Sequence, residues 1–305
     1  IDAYYSLGCD STDIFAGTRI ETYSDYKKYM NKYNVIHVDV STFWDSYKDN
    51  LIEKIQEYIY KDFRREFGDK LNYEDSLSYN LMVIYKDTGI PFVIIVDEWD
   101  CVIRNSKEEE LVHKYLQFLH SLFKSEESKS FLALAYITGI LPIKKIKDES
   151  ALNNFTEFTM IDSYPITQFF GFTEDEVKDL CEKYHRDFEK VKYWYDGYLL
   201  EDYQVYNPKA VVSVCVRGRF RSYWSETASY EAIVPFINMN YDGLKNAIIE
   251  ILSGASIKVN TSAFKNDTVN IQSKDDVLTY LIHLGYLGYN QNRRTAFVPN
   301  EEIRQ

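Results

Sequence analysis

Hydrophobic and polar positions along the first half of the chain follow two periods, one typical of buried strands and one typical of amphipathic helices. The segment 35–40 is short and β-branched and predicts a buried strand. Apolar residues between 43 and 63 are spaced three and four apart and predict one long helix, and a second helix is predicted at about 74–85. Residues 92–96 form an unbroken apolar run, which is typical of a parallel strand covered on both faces.

The same alternation continues to about residue 160. Ser106 and Glu109 have the spacing of a capping box and predict the start of another helix. Residues 131–137 predict a further buried strand, and 155–161 a fifth element of the sheet. Strands alternating with helices indicate an α/β layered domain with right-handed crossovers, which we place at residues 1–162.

The pattern changes in the second half of the chain. Thr173 and Glu176 form a second capping box, and residues 163–235 have a helical, aromatic pattern without a clear buried strand, which predicts a helical lid subdomain. Residues 236–305 contain two helical patterns followed by a β-hairpin pattern at 286–298. Helices followed by such a hairpin predict a winged-helix module.

Composition and charge narrow the class of protein. The chain has 305 residues, 45% of them hydrophobic and 27% charged, which is enough apolar material for folded domains and argues against disorder. The net charge of −12 disfavours a general coat for nucleic acid or anionic membranes. The four cysteines lie far apart, without a CxxC pair, so we expect a reduced, cytoplasmic protein without structural zinc. Apolar stretches are too short for a membrane span.

The most informative local pattern is a pair of acids at the end of the apolar run. Asp97 and Glu98 follow Val96 directly, and ligands of open α/β sheets bind at the carboxyl ends of strands. In phosphate-ester hydrolysis, Asp97 would hold Mg²⁺ through its water shell and Glu98 would orient or deprotonate the attacking water. Thr138 ends the next predicted strand, where its hydroxyl could contact a γ-phosphate. The alternative is structural: acids often begin loops, and Thr138-Gly139 would close a strand as a turn.

The two strand ends together suggest neighbouring strands of a P-loop NTPase, yet the phosphate-binding pattern GxxxxGK[ST] does not occur in the sequence. The chain opens with Ile1-Asp2-Ala3-Tyr4-Tyr5, without a methionine and in a helical pattern. We therefore expect a fragment whose start lies in the helix after a phosphate loop, with the strand before that loop belonging in the middle of the sheet.

Several short motifs in a fixed order resemble the predicted AAA-ATPase-like family, bacterial proteins related to the multidomain signal-transduction ATPases. The acidic motif is Asp97-Glu98-Trp99-Asp100. Further matches are Ala3-Tyr4-Tyr5-Ser6, Ile137-Thr138-Gly139-Ile140, Leu152-Asn153-Asn154-Phe155, Phe170-Gly171-Phe172-Thr173-Glu174, Trp194-Tyr195-Asp196-Gly197-Tyr198, Val205-Tyr206-Asn207-Pro208, Tyr223-Trp224-Ser225-Glu226-Thr227 and Val298-Pro299-Asn300-Glu301-Glu302. Each motif is short, and the specificity of the resemblance lies in their joint order over nearly the whole chain.

The resemblance implies an ATP-binding and ATP-hydrolysing switch that uses Mg²⁺. By position, Asp97 resembles the metal-handling acid, Glu98 the water-activating acid and Thr138 a sensor residue, while Asn207-Pro208 would lie near the adenine. In the family the phosphate loop lies just before the position of Ile1, and a PD-(D/E)xK nuclease-like domain often follows the position of Gln305. Without the phosphate loop, we expect this fragment to bind nucleotide weakly and to be inactive by itself.

Two other functions remain open from the sequence. The first is a nucleic-acid-binding module, acting through the wing and the basic cluster Arg217–Arg221, that serves a downstream nuclease. The second is a degenerate scaffold that retains the fold without catalysis. The winged helix could also contact a protein partner. Asp100 and Arg104 lie one turn beyond the acids and could pair with each other or with a neighbouring subunit, and a surface ion pair is the default expectation. The sequence does not determine the oligomeric state.

Overall fold

The computed structural model describes residues 1–142, 152–224, 241–264 and 271–305. They form two compact units, Ile1–Phe155 and Thr156–Gln305. The chain is therefore mixed α/β, as the alternation of patterns predicted. The finer division into three parts at 162 and 235 stays a prediction.

A parallel sheet organises the first unit. Its strands are β1 (Asn34–Asp39), β2 (Phe92–Asp97) and β3 (Leu132–Ile137), in the spatial order β1-β2-β3. Both pairings are parallel, so the three carboxyl ends lie at one edge of the sheet. Residues 92–96 of β2 are almost fully buried, which confirms the prediction from the unbroken apolar run.

The helices of this unit are α1 (Asp2–Tyr5), α2 (Thr12–Phe15), α3 (Tyr26–Tyr29), α4 (Val40–Tyr47), α5 (Leu51–Phe67), α6 (Leu77–Thr88), α7 (Cys101–Asn105), α8 (Glu109–Phe123) and α9 (Ser128–Phe131). Apolar residues of α4 to α9 form one core with those of the sheet. Helix α5 buries Leu51, Ile55, Ile59 and Phe63, one stripe at helical spacing. Each such buried side chain contributes about 1.5–3 kcal/mol relative to exposure, which makes this stripe a main support of the unit.

Three predictions for residues 1–162 are wrong in detail. The long helix is broken by a 3₁₀ turn at Lys48–Asn50, where the backbone of Lys48 leaves the helical conformation with φ 4° and ψ −79°. Ser106 does not cap α8: it ends α7, and Glu108 is the residue before the first turn of α8. The segment 155–161 is not a strand, since its backbone turns at Thr159, whose hydroxyl accepts from two following N–H groups.

The second unit contains helices and two small antiparallel sheets. The helices are α10 (Glu174–Lys183), α11 (Phe188–Tyr195), α12 (Pro208–Arg217), α13 (Leu244–Leu252), α14 (Lys274–His283) and α15 (Glu301–Arg304). The strands are β4 (Phe172–Thr173), β5 (Tyr198–Leu200), β6 (Tyr203–Tyr206), β7 (Ile257–Lys258), β8 (Gly288–Asn290) and β9 (Thr295–Phe297). The sheets have the orders β4-β6-β5 and β7-β9-β8.

The local patterns of the second unit were only partly interpreted correctly. The capping box of Thr173 and Glu176 is confirmed, as are the two later helices and the hairpin β8–β9. The expectation that 163–235 has no strand is wrong, because β4, β5 and β6 pair there. These strands are two to four residues long, too short for an alternation pattern. The winged-helix assignment stays a prediction.

Candidate active site

The carboxyl edge of the parallel sheet gathers polar side chains from all three strands. Asp39 ends β1, Asp97 ends β2, and Thr138 follows the last residue of β3. The register places Asp39 opposite Asp97, and the N–H of Thr138 continues the ladder by donating to the carbonyl of Val96 at 2.9 Å. The sequence prediction that Asp97, Glu98 and Thr138 share one sheet edge is thus consistent with this topology.

Asp97 is held in a fixed orientation by its neighbours. Its Oδ1 accepts a hydrogen bond from the hydroxyl of Thr138 and another from the backbone N–H of Glu98 at 3.1 Å. Within the part of the chain that the structure describes, no hydrogen bond to Oδ2 is recorded. One carboxylate oxygen therefore positions the side chain.

Glu98 occupies a constrained position in the loop after β2. Its φ of +51° lies in the left-handed region, which costs a residue other than glycine about 1–3 kcal/mol and is common at functional sites. Neighbouring bonds hold this backbone: the N–H of Trp99 donates to the carbonyl of Thr138 at 3.0 Å, and Trp99 itself is buried. The carboxylate of Glu98 is 41% exposed. Burial raises its pKa, while the nearby Arg104 lowers it.

The two acids are backed by a buried ion pair that the sequence only suggested. Asp100 is fully buried, and its Oδ2 accepts from the N–H groups of Ile140 at 3.2 Å and Leu141 at 2.8 Å, and from Nε of Arg104 at 2.9 Å. Arg104 also donates through Nη2 to Oε2 of Glu98 at 2.5 Å. The predicted pairing of Asp100 with Arg104 is present, and it lies inside the unit rather than on the surface as is usual for ion pairs.

Gly139 permits this close arrangement. A Cβ at this position would lie 2.5 Å from Cδ1 of Trp99 and 2.6 Å from Oδ1 of Asp100. The loop after β3 can therefore approach the loop after β2 only because residue 139 has no side chain.

Asp39 was not among the residues selected from the sequence. Its Oδ1 accepts from the N–H of Ser41 at 2.9 Å, so that it caps α4, and its side chain also accepts from the hydroxyls of Ser41 and Thr42. Burial raises the pKa of Asp39, but these hydrogen bonds outweigh burial and hold it below the usual value. The available signal was an acid directly after a β-branched strand and before Ser-Thr.

The donor set at this edge suits Mg²⁺ better than a softer metal. Asp97 and Thr138 offer oxygen ligands, and Mg²⁺ is commonly bound by one or two carboxylates while it keeps several waters. Among the described residues no group of three or more His, Cys, Asp or Glu side chains could enclose a metal ion. The residues present therefore fit an ion such as Mg²⁺ that takes few protein ligands.

The residues predicted near an adenine lie in the second unit. Asn207 caps α12 by accepting from the N–H of Ala210 at 3.2 Å, and Pro208 occupies the first turn. This arrangement accounts for Asn-Pro locally, because both residue types favour a helix start. A role of Asn207 and Pro208 beside a nucleotide stays a prediction.

The aromatic block and the basic cluster also belong to the second unit. Gly197 has a φ of +111°, and a Cβ there would collide with the carbonyl of Pro299, so the Gly turn is needed for packing. The guanidinium groups of Arg217 and Arg221 lie 5.6 Å and 5.3 Å from the ring centre of Tyr223, on the same unit. These contacts give both arginines a local role. Part of the Tyr223–Thr227 motif lies outside the described residues.

Neither outer edge of the parallel sheet, on β1 or on β3, pairs with another strand among the described residues. Strand β2 lies between β1 and β3, and no described strand pairs with the outer edge of β3. The sequence of β3 is Leu-Ala-Leu-Ala-Tyr-Ile, without a charge or a proline, and Tyr136 is 41% exposed. Exposed edge strands are usually protected by charged residues, prolines or bulges, so β3 has the composition of an inner strand.

Comparison with known proteins agrees with the family resemblance of the sequence motifs. The family model described as Predicted AAA-ATPase matches residues 1–147. This match confirms the resemblance based on the motifs for that part of the chain.

One curated relative comes from Azotobacter chroococcum mcd 1 and is described as "Uncharacterized protein in vnfD 5'region". It is 23% identical over 220 residues, which make up 71% of this chain, and the chain spans 40% of that protein's length. No solved structure matches the chain. Among the described helices, none has the length and apolar character needed to cross a bilayer.

Proposed function

We propose that the first unit is the hydrolytic half of a Mg²⁺-dependent ATPase site. The observation that carries the proposal is the convergence of Asp97, Glu98 and Thr138 at the carboxyl ends of two adjacent parallel strands. This edge is where open α/β sheets bind ligands. The family match over residues 1–147 supports the same chemistry.

Each of the three side chains has a role that its contacts support. Asp97 would hold Mg²⁺ through the oxygen that Thr138 does not contact, and the bound ion would neutralise charge developing on the phosphate oxygens. Glu98 would orient the attacking water or take its proton, since its carboxylate is partly exposed. Thr138 would act as the sensor, because a hydroxyl that donates to Asp97 can respond to a phosphate at the same edge.

The phosphate cradle is proposed to come from a segment outside this sequence. An additional strand on the free edge of β3, followed by GK[ST], would bring backbone N–H groups and a lysine next to Thr138. The apolar composition of β3 supports such a partner. In this arrangement β2 and β3 are both inner strands. Only β3 would separate Asp97, at the end of β2, from the strand that carries the cradle.

The remaining parts of the proposal concern the second unit and the cellular location of the protein. Asn207 and Pro208 would lie near the adenine, residues 163–235 would act as a lid, and 236–305 as a winged-helix module that contacts nucleic acid or a protein. We place the protein in the cytoplasm, in line with its four free cysteines.

Calorimetry and steady-state hydrolysis on the full-length protein test the function. We expect ATP to bind in the presence of Mg²⁺, and Glu98→Gln to retain binding while kcat falls about 10²–10⁴-fold, the range for loss of a general base. Asp97→Asn should weaken the dependence on Mg²⁺, and Thr138→Val should lower kcat. Glu126→Gln, in an exposed ion pair of the same unit, is the control.

The outcomes separate the ATPase from the alternatives. Absence of ATP binding by the full-length protein would refute the ATPase and favour a scaffold. Unchanged hydrolysis in Glu98→Gln would refute the assignment of Glu98 alone. DNA binding at low salt without ATP binding would instead support the nucleic-acid module.

A further inference from the structure

The contacts around Glu98 form a chain that ends in the loop after β3. Oε2 of Glu98 accepts from Nη2 of Arg104 at 2.5 Å, and Nε of the same guanidinium donates to Asp100 at 2.9 Å. Asp100 in turn accepts from the N–H groups of Ile140 and Leu141. Arg104 is thus bound by a carboxylate on each side.

The two carboxylates differ in exposure, so the buried one anchors Arg104 and the exposed one is held by it. The side chain of Asp100 is 0% exposed and that of Arg104 is 19% exposed, whereas that of Glu98 is 41% exposed. The buried pair is fixed by burial and by two backbone donors, and the guanidinium projects from it as a planar fork. Glu98 is the more exposed partner, and the guanidinium of Arg104 holds it.

A water-activating carboxylate needs such a restraint. Glu98 follows a strand end, is partly exposed, and would otherwise sample several rotamers. The hydrogen bond between Oε2 and Nη2 of Arg104 restricts the carboxylate to fewer orientations. Orientation of a base by a third group recurs in enzymes that activate a nucleophile.

We propose that Arg104, anchored by Asp100, is a positioning residue that orients Glu98 for its reaction with water. The inference rests on the proposed function and deepens it, because it names how the base is held. It also links the loop after β3 to Glu98: residues 140 and 141 hold Asp100, and Thr138 in the same loop holds Asp97. A displacement of this loop would therefore move Asp97 and Glu98 together.

The test compares Arg104→Gln, Arg104→Lys, Glu98→Gln and the double variant Glu98→Gln/Arg104→Gln in the full-length protein. We expect Arg104→Gln to lower kcat about 10–100-fold, the usual cost of losing a partner that orients a functional group, with KM and the Kd for ATP changed less than about 2-fold. Lysine keeps the charge beside Asp100 but has no fork, so Arg104→Lys should recover part of kcat. The double variant should be within about 3-fold of Glu98→Gln, because residues acting through one another are non-additive.

Arg65→Gln is the matched control, since Arg65 forms an exposed ion pair with Asp62 on α5 of the same unit. An unchanged kcat in Arg104→Gln, or a double variant that loses the full factor of both substitutions, would overturn the role of Arg104 while leaving the ATPase intact. If Arg104→Gln does not fold, the kcat of Arg104→Lys and of its double variant with Glu98→Gln decide the question by the same criteria. If the unsubstituted full-length protein binds no ATP, the proposed function fails, and the role of Arg104 fails with it.

Discussion

The buried carboxylate of Asp100 provides the sharpest test of the physical account of the first unit. Substitution by asparagine preserves the shape of the side chain and removes the charge. Three hydrogen bonds converge on Oδ2 of Asp100, from Ile140, Leu141 and Arg104. An amide oxygen can replace this oxygen as the acceptor, so the packing is retained and the effect of charge is isolated.

The expected magnitude follows from these three bonds. A hydrogen bond to a charged acceptor contributes about 1.5–3 kcal/mol and a neutral one about 0.5–1.5 kcal/mol, so each bond loses about 1 kcal/mol and the site about 3 kcal/mol. That agrees with the lower end of the cost of removing one partner of a buried ion pair, about 3–5 kcal/mol, since Arg104 retains Glu98 as a second partner. At a slope of about 2 kcal/mol per molar urea, the midpoint should fall by about 1.5 M.

Urea unfolding monitored by hydrogen exchange of peptides from β2 and β3 measures this change, because it follows the first unit separately from the second. The control is Asp62→Asn, whose carboxylate is 63% exposed and lies 3.4 Å from Arg65. It should change stability by no more than about 0.5 kcal/mol. A shift for Asp100→Asn no larger than that of the control would refute the view that this ion pair supports the site.

Three further substitutions test other parts of the structure. Gly197→Ala should destabilise the second unit by about 2–4 kcal/mol in urea unfolding, because the new Cβ meets the carbonyl of Pro299. The control is Gly254→Ala, which is also at positive φ but in open space and should cost only about 1 kcal/mol. Equal losses of stability in the two variants would contradict the packing argument. Asp39→Ala should cost about 1–2 kcal/mol through loss of the α4 cap. Because the folded pKa of Asp39 is lowered, the wild-type advantage should be full above the usual aspartate pKa and should decline as the pH falls below it. Burial raises the pKa of Glu302, so the folded state keeps its proton to higher pH than the unfolded chain does. Stability of the second unit should therefore decline as the pH rises above the usual glutamate pKa, and circular dichroism of Glu302→Gln should show a flatter pH dependence. An unchanged pH dependence in Glu302→Gln would show that another group causes the change of stability with pH.

Prediction from the sequence was most successful where one residue pattern has one physical solution. The apolar run before Asp97 can be buried only as a strand covered on both faces, and Asp97 and Glu98 then necessarily end that strand. The Thr173–Glu176 box was equally clear, because both side chains satisfy N–H groups within one turn. Prediction was least successful for short strands such as β4, whose two residues pair with β6 through contacts like that of Phe172 with Tyr206, distant in the sequence.

Part of the candidate site also follows from local sequence, and part of it depends on the tertiary structure. Local sequence determined which acids lie at the end of β2, because strand ends follow from the hydrophobic pattern within a few residues. Only the tertiary structure decided that Thr138 donates to Asp97, that Asp39 lies in register beside it, and that Asp100 is buried. These contacts join residues up to 58 positions apart, as between Asp39 and Asp97, and they arise because parallel strands bring their carboxyl ends together whatever the length of the connection.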